Sequence, residues 1–135
     1  MTRRELVERF IPSSPLVGHL GMRLDSIGSD AATLVLPYRP ELATIDDVVH
    51  GGVIASLIDT AGMAASWASD EEPETMQGST VTLNVNYLQA ARGQDLTAAA
   101  VVVRRGRSLV FSEVKVTEPD GRLVATGSVV QRLGR

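Results

Sequence analysis

One segment constrains this chain more than any other. From Val53 to Ala68 every residue is apolar or small except Asp59. The run is too long and too rich in alanine for a strand. Being apolar or small on every side, it reads as a helix enclosed by protein, and at ~1.5 Å per residue it extends roughly 24 Å. Asp59, His50 and the interspersed glycines and serines keep the wider run from Val48 to Ala68 from being the unbroken apolar stretch of ~20 residues that a membrane span needs.

Strand-like segments lie on both sides of this helix. Met22–Ile27 and Ala32–Leu36 flank Gly28-Ser29-Asp30, a good short turn, and Pro37 and Pro40 end the second of them. Thr44–Val49 reads as a loop, and the acidic run Asp70–Glu74 as a solvated one. Beyond it, Thr80–Tyr87 alternates, with Val81, Leu83, Val85 and Tyr87 on one face and Thr80, Thr82, Asn84 and Asn86 on the other. Leu96–Val103, Ser108–Val116 and Leu123–Val130 follow, with Arg105-Gly106-Arg107 and Pro119-Asp120-Gly121 at the tight turns. Ahead of all this, Met1–Gly18 reads as an amphipathic turn or two broken by Pro12 and Pro15. No linker or repeat interrupts the chain, so one domain over residues 1–135 is expected. Helices that do not alternate with strands exclude a doubly wound α/β fold. The expectation is α+β, an antiparallel sheet of about six strands curled around one long helix spanning Gly51–Ala68.

Composition narrows the function. Only 4% of residues are aromatic and the net charge is −3, which speaks against base-stacking platforms and against electrostatic attraction to nucleic acid or an anionic membrane. There is no cysteine, so disulfides, zinc thiolates and cysteine nucleophiles are excluded together. The polar start Met1–Phe10 lacks the apolar core of a signal peptide, and a soluble, cytoplasmic protein is expected. His19 and His50, the two histidines, sit in no ligand-spaced cluster, so no metal is expected. No Gly-x-Ser-x-Gly elbow or Walker glycine loop is present.

The chemistry concentrates between His50 and Ala61. Gly51 and Gly52 let the backbone turn tightly and come close to a ligand. The helix they open presents unsatisfied N–H groups and a partial positive charge, suited to a carbonyl oxygen that gains negative charge; the Gly52 amide is the candidate donor. Asp59 is the only charged residue between His50 and Asp70. On the residues alone it is either a working carboxylate or a structural one, capped by the hydroxyls of Ser56 or Thr60 or facing a subunit boundary.

The segment His50–Ala65, HGGVIASLIDTAGMAA, resembles the signature of hotdog-fold thioesterases of the phenylacetic-acid-degradation (PaaI-like) type. Thr80–Ala91 resembles the central strand of that family, Arg105–Gly127 its closing hairpin, and Pro15–Leu24 the approach to its first strand. The resemblance implies an acyl-CoA thioesterase that cleaves an aryl- or medium-chain acyl-CoA to the free acid and CoA. Asp59 would be the general base or nucleophile, the Gly52 amide the oxyanion donor, His50 the residue shaping the turn or touching substrate, and Thr80 a hydroxyl that positions water. Family members commonly carry asparagine six residues before the histidine and glycine three before it; here these positions are Thr44 and Asp47, and the Thr44 hydroxyl becomes the candidate second donor.

Spacing adds a further expectation. Gly52 and Asp59 stand seven residues, hence ~10 Å, apart along one helix, too far to act on one carbonyl within one chain. Two antiparallel helices across a twofold axis would pair the Gly52 of one chain with the Asp59 of another, so a homodimer or homotetramer is expected, as the family also implies. Arg104, Arg105 and Arg107 are candidate contacts for the phosphates of coenzyme A, through the planar guanidinium fork, with a solvated hairpin end as the alternative. No cofactor is expected, since coenzyme A belongs to the substrate. Met63 and Trp67 are expected to pack in the core more than to line an acyl pocket. Two other classes compete with thioesterase: a non-catalytic acyl-CoA-binding or regulatory hotdog domain, against which the retained Asp59 counts, and a hotdog hydratase or dehydratase, which the His-Gly-Gly turn does not match.

Overall fold

A computed structural model describes residues 1–134. Two short helices, α1 (Arg3–Ser13) and α2 (Pro15–Leu20), precede β1 (Arg23–Gly28) and β2 (Ala31–Leu36). A single 3-10 turn at Pro40–Leu42 leads to β3 (Ala43–Ile45) and β4 (Val48–Val49), then to the long helix α3 (Gly51–Ser66). Four strands complete the chain: β5 (Gly78–Tyr87), β6 (Leu96–Arg105), β7 (Leu109–Thr117) and β8 (Leu123–Leu133). The main sheet has six strands in the order β1-β2-β6-β7-β8-β5, antiparallel at every pairing. The α+β architecture expected from the sequence is therefore the one observed. Among the described residues no helix is long and apolar enough to cross a membrane.

The sheet packs α3 against β2, β6, β7 and β8. Ile54, Leu57, Ile58, Ala61, Ala64 and Ala65 of the helix are buried against Leu34, Leu96, Ala98, Val114 and Val129 of the strands. Each large aliphatic side chain fully buried there contributes about 1.5–3 kcal/mol. The helix is rich in small residues because it lies very close to β8. A methyl placed on Gly62 would stand 2.5 Å from Val129 Cγ2, and one on Gly127 would stand 2.6 Å from Ile58 Cγ2. Two glycines facing each other's neighbours thus set the height of the helix above the sheet. Ser66, fully buried, ties its last turn down by donating to the Gly62 carbonyl, and its hydroxyl also meets that of Ser112 on β7.

Four local expectations need correction. The helix is not enclosed on every side: Gly52 is exposed, and Ser56, Asp59, Thr60 and Met63 are only half-buried. These residues recur at three- and four-residue intervals and form one continuous stripe. The Thr44–Val49 loop is a miniature antiparallel ladder of β3 and β4, folded back at Asp46, which takes a positive φ of 50°.

Pro12 does not break the first helix. Thr2 and Glu5 close a capping box at its start, and Pro12 lies in its final turn, where a single intrahelical bond is forgone. The break falls at Ser14, and Pro15 opens α2 at a position where proline suits a helix start. The acidic run after α3 does more than face solvent: Arg3 pairs with Glu71 at 2.9 Å and Arg4 with Asp70 at 3.0 Å, while Arg3 stacks over Trp67. These contacts dock α1 over the C-terminal end of α3.

Candidate active site

The sequence from Val49 to Gly52 folds into the start of α3 through three anchors. The His50 amide donates to the Leu42 carbonyl, the Tyr87 hydroxyl donates to the Gly51 carbonyl at 2.6 Å, and His50 itself caps the helix, its Nδ1 accepting the Gly52 N–H at 2.8 Å. An accepting Nδ1 carries no proton, so the neutral ring holds its proton on Nε2. His50 thus shapes the turn. The Gly52 amide is therefore already partnered within the turn.

Two turns further along, Asp59 sits on the half-buried stripe. Its Oδ1 accepts the Thr80 hydroxyl at 2.6 Å, and Oδ2 has no hydrogen-bond partner among the described residues. The hydroxyls of Ser56 and Thr60 do not cap it; they donate to the carbonyls of Gly52 and Ser56, one turn back. Thr80 reaches the helix because β5 has an irregularity between Thr80 and Thr82 where it pairs with β8. This resets the two-residue alternation, so Thr80 does not share a face with Asn84 and Asn86 as strict alternation predicts. Behind Thr80 stands Gln131 of β8, 3% exposed, whose Nε2 donates to the Thr80 hydroxyl oxygen at 2.6 Å.

Asp59, Thr80 and Gln131 open into a cavity of about 350 Å³ between α1, α2, α3 and the start of β5. Its remaining wall is mostly hydrocarbon and thioether: Leu6, Phe10, Leu16, Met63, Trp67 and Met76. Met63 and Trp67 both pack against the core and line this cavity. Gly51 and Thr44 belong to a different groove, of about 390 Å³, shared with Ile54 and Tyr87. Within one chain the two halves of the expected site do not meet.

The arginines lie elsewhere again. Arg105 is committed to the fold: Nη2 and Nε donate to Asp30 Oδ1 at 2.6 and 3.1 Å, and Nη1 donates to the Ser66 carbonyl at 2.9 Å. That places it at the C-terminal end of α3, opposite the His-Gly-Gly turn, with three of its five N–H donors given to the protein. Arg105 thus ties the end of α3 to Asp30. Arg104 is exposed, and Arg107 is exposed along the rim of a polar depression with Glu71 and Glu74. Gln131 and Tyr87 escaped the sequence reading. The signal for Gln131 was a lone polar residue between Val129 and Leu133, two buried positions on the same face of β8.

Among known proteins, residues 46–125 match the model of the thioesterase superfamily. A Halobacterium salinarum relative named as a candidate esterase is 35% identical over 117 residues, 84% of this chain and 77% of its own. The medium/long-chain acyl-CoA thioesterase YigI of Escherichia coli K12 is 26% identical over 140 residues, covering 94% of this chain and 90% of that protein. The structure of the Escherichia coli PaaI protein from the phenylacetic acid degradation operon superposes with a TM-score of 0.84 over 98% of this chain and 94% of that one, at 17% identity, and so shares the fold. The chain belongs to the thioesterase superfamily and is a hotdog-fold thioester hydrolase.

Proposed function

We propose that the protein hydrolyses an aryl- or medium-chain acyl-CoA to the free acid and coenzyme A, with Asp59 as general base or nucleophile. The observation that carries this reading is Asp59 itself: one carboxylate oxygen held by Thr80, the other free, on the wall of an apolar cavity of about 350 Å³. That volume falls at the lower end of small-molecule pockets, and its lining suits a hydrocarbon acyl group better than a hydroxylated one. The free oxygen of Asp59 either takes a proton from a water that attacks the thioester carbon, or attacks that carbon itself to form an acyl anhydride that a water then hydrolyses, restoring the carboxylate. In either case the thiolate of coenzyme A leaves and the proton given up by water balances its charge. The reaction uses no metal and no cofactor beyond the coenzyme A of the substrate, and it takes place in the cytoplasm. Membership in the superfamily and the likeness to YigI support the thioester class.

The second half of the site comes from another copy of the chain in this reading. Gly52 and Asp59 lie on one stripe of α3, but Asp59 lines the apolar cavity while Gly51, next to Gly52, lines the separate groove, and β5 leaves one edge of the sheet unpaired. Val81, Leu83 and Tyr87 along that strand and Leu88 just after it are exposed. A ten-residue open edge with apolar side chains is a ready template for a second chain. An antiparallel pair of α3 helices then brings one Gly52 amide, released by His50, to the thioester held by the partner's Asp59, with Thr44 beside it as second donor. Arg104 and Arg107 are the proposed contacts for the coenzyme A phosphates.

The test is a hydrolysis screen over aryl-, short- and long-acyl-CoA thioesters with the wild type and Asp59→Asn. Asparagine keeps an oxygen to accept from Thr80 while removing the base, so kcat should fall by about 10²–10⁴-fold with KM changing less. An Asp59→Asn enzyme with near wild-type turnover on the best substrate would leave Asp59 a structural acid and overturn the mechanism. Loss of hydrolysis on chelation, restored by zinc, would overturn its metal-free character.

A further inference from the structure

We infer that Gln131 is a positioning residue for the reaction: its buried amide fixes the direction of the Thr80 hydroxyl, and through it the Asp59 oxygen that is left to react. The inference rests on the reading of Asp59 as the working carboxylate.

The argument is one of donor counting. A hydroxyl has one proton to give, and an ionised carboxylate can only accept. At 2.6 Å the contact between Thr80 and Asp59 Oδ1 is therefore filled by the Thr80 proton. The Thr80 oxygen then has only lone pairs to offer Gln131, which stands 2.6 Å away on its other side. The Gln131 side chain must present its NH₂ group there, since its carbonyl oxygen would compete for the same proton. The orientation of the amide, the hydroxyl rotor and the carboxylate thus follow one from another.

Position in the sheet makes the arrangement rigid. Gln131 is the direct cross-strand partner of Thr80 on β5 and of Val110 on β7, so strands on both sides hold its backbone. It is nearly inaccessible to solvent and yet belongs to the wall of the cavity that contains Asp59. A buried amide among Val129, Leu133 and Val110 is costly unless its hydrogen bonds are met, and the partner it meets is the hydroxyl on Asp59. Among the described residues Asp59 is the only ionisable side chain lining that cavity, so no charge of theirs in its wall competes to orient it. With Gln131 absent, the Thr80 hydroxyl is free to turn away, and either oxygen of Asp59 can take the reactive place.

A double-mutant cycle tests this. Gln131→Met keeps the length of the side chain and removes the donor; Thr80→Val removes the hydroxyl at nearly constant shape. Gln131→Met should lower kcat by about tenfold, the factor of one net hydrogen bond, with KM on the best acyl-CoA nearly unchanged. In the Thr80→Val background the same substitution should add no further loss, because the hydroxyl it orients is gone. In the Thr80→Ser background, which keeps the hydroxyl, the tenfold loss should return. Losses that multiply in the Thr80→Val background, or unchanged kcat in folded Gln131→Met, would overturn the inference and leave Gln131 a packing residue. Gln131→Leu provides the same comparison if Gln131→Met does not fold. The outcome separates from the fate of the proposed mechanism: an inert Asp59→Asn beside a fully active Gln131→Met refutes only the role of Gln131, whereas an active Asp59→Asn refutes the mechanism on which it rests.

Discussion

Met63 lies one turn beyond Asp59 on the same stripe of α3 and lines the same cavity, which makes it the natural place to change how much acyl chain the site accepts. A flexible thioether that shares this wall with Phe10, Leu16 and Met76 leaves the cavity bounded largely by side chains. Each methylene of substrate buried against such a wall is worth about 0.8 kcal/mol, and about 1.4 kcal/mol is a factor of ten in rate. Over a homologous series of straight-chain acyl-CoAs, kcat/KM should therefore rise about fourfold per methylene until the cavity is full, then level off or fall. Met63→Trp fills part of the cavity and should move that break to a shorter chain, with the loss growing by about fourfold for each methylene excluded. Met63→Ala enlarges it and should move the break to a longer chain. Both are read by steady-state hydrolysis with a thiol reagent that reports released coenzyme A, with thermal unfolding followed in parallel to separate misfolding from specificity. A break at the same chain length in all three proteins would refute the placement of the acyl group between α1 and α3.

Three other outcomes are expected. Gly62→Ala puts a methyl 2.5–2.9 Å from all three side-chain carbons of Val129, a residue stiff at χ1. Overpacking of about 1–3 kcal/mol, partly offset by about 1 kcal/mol of better helix propensity, should appear as a lower denaturant midpoint; a clearly raised midpoint would mean that the helix does not press on β8 as described. Arg105→Ala removes a partly exposed ion pair with Asp30 and a bond to the end of α3. It should cost about 1 kcal/mol of stability and leave KM for acyl-CoA unaltered, whereas a raised KM would return Arg105 to the substrate site. Light scattering should give the mass of a dimer or a multiple of it, and a monomer with full hydrolase activity at the same dilution would end the shared-site proposal.

Much of this molecule was legible in local sequence pattern, because the signals for its main elements are short-range. A run of small and apolar residues too long for a strand can only become a helix, and Thr80–Tyr87 and its successors repeat with the two-residue period of a strand. Glycine and aspartate at the hairpins mark turns by their own backbone preferences. The His50-Gly51-Gly52 start and Asp59, both on that helix, were visible for the same reason. Tertiary structure decided what depends on residues far apart in the chain. Thr80 meets Asp59 across 21 positions and Gln131 across 51, through an irregularity in one strand pairing that no period reveals. Arg105 meets Asp30, 75 positions away, a pairing no local pattern announces. The acidic run after α3 became an anchor for α1 only because the two meet over Trp67. The exposed stripe of α3 likewise exists because a six-stranded sheet covers only one side of a helix, a fact of geometry that the composition of the helix conceals. Pattern names the elements, since each follows its own neighbours; register and docking assign the partners, since those are set by the packing of the whole chain.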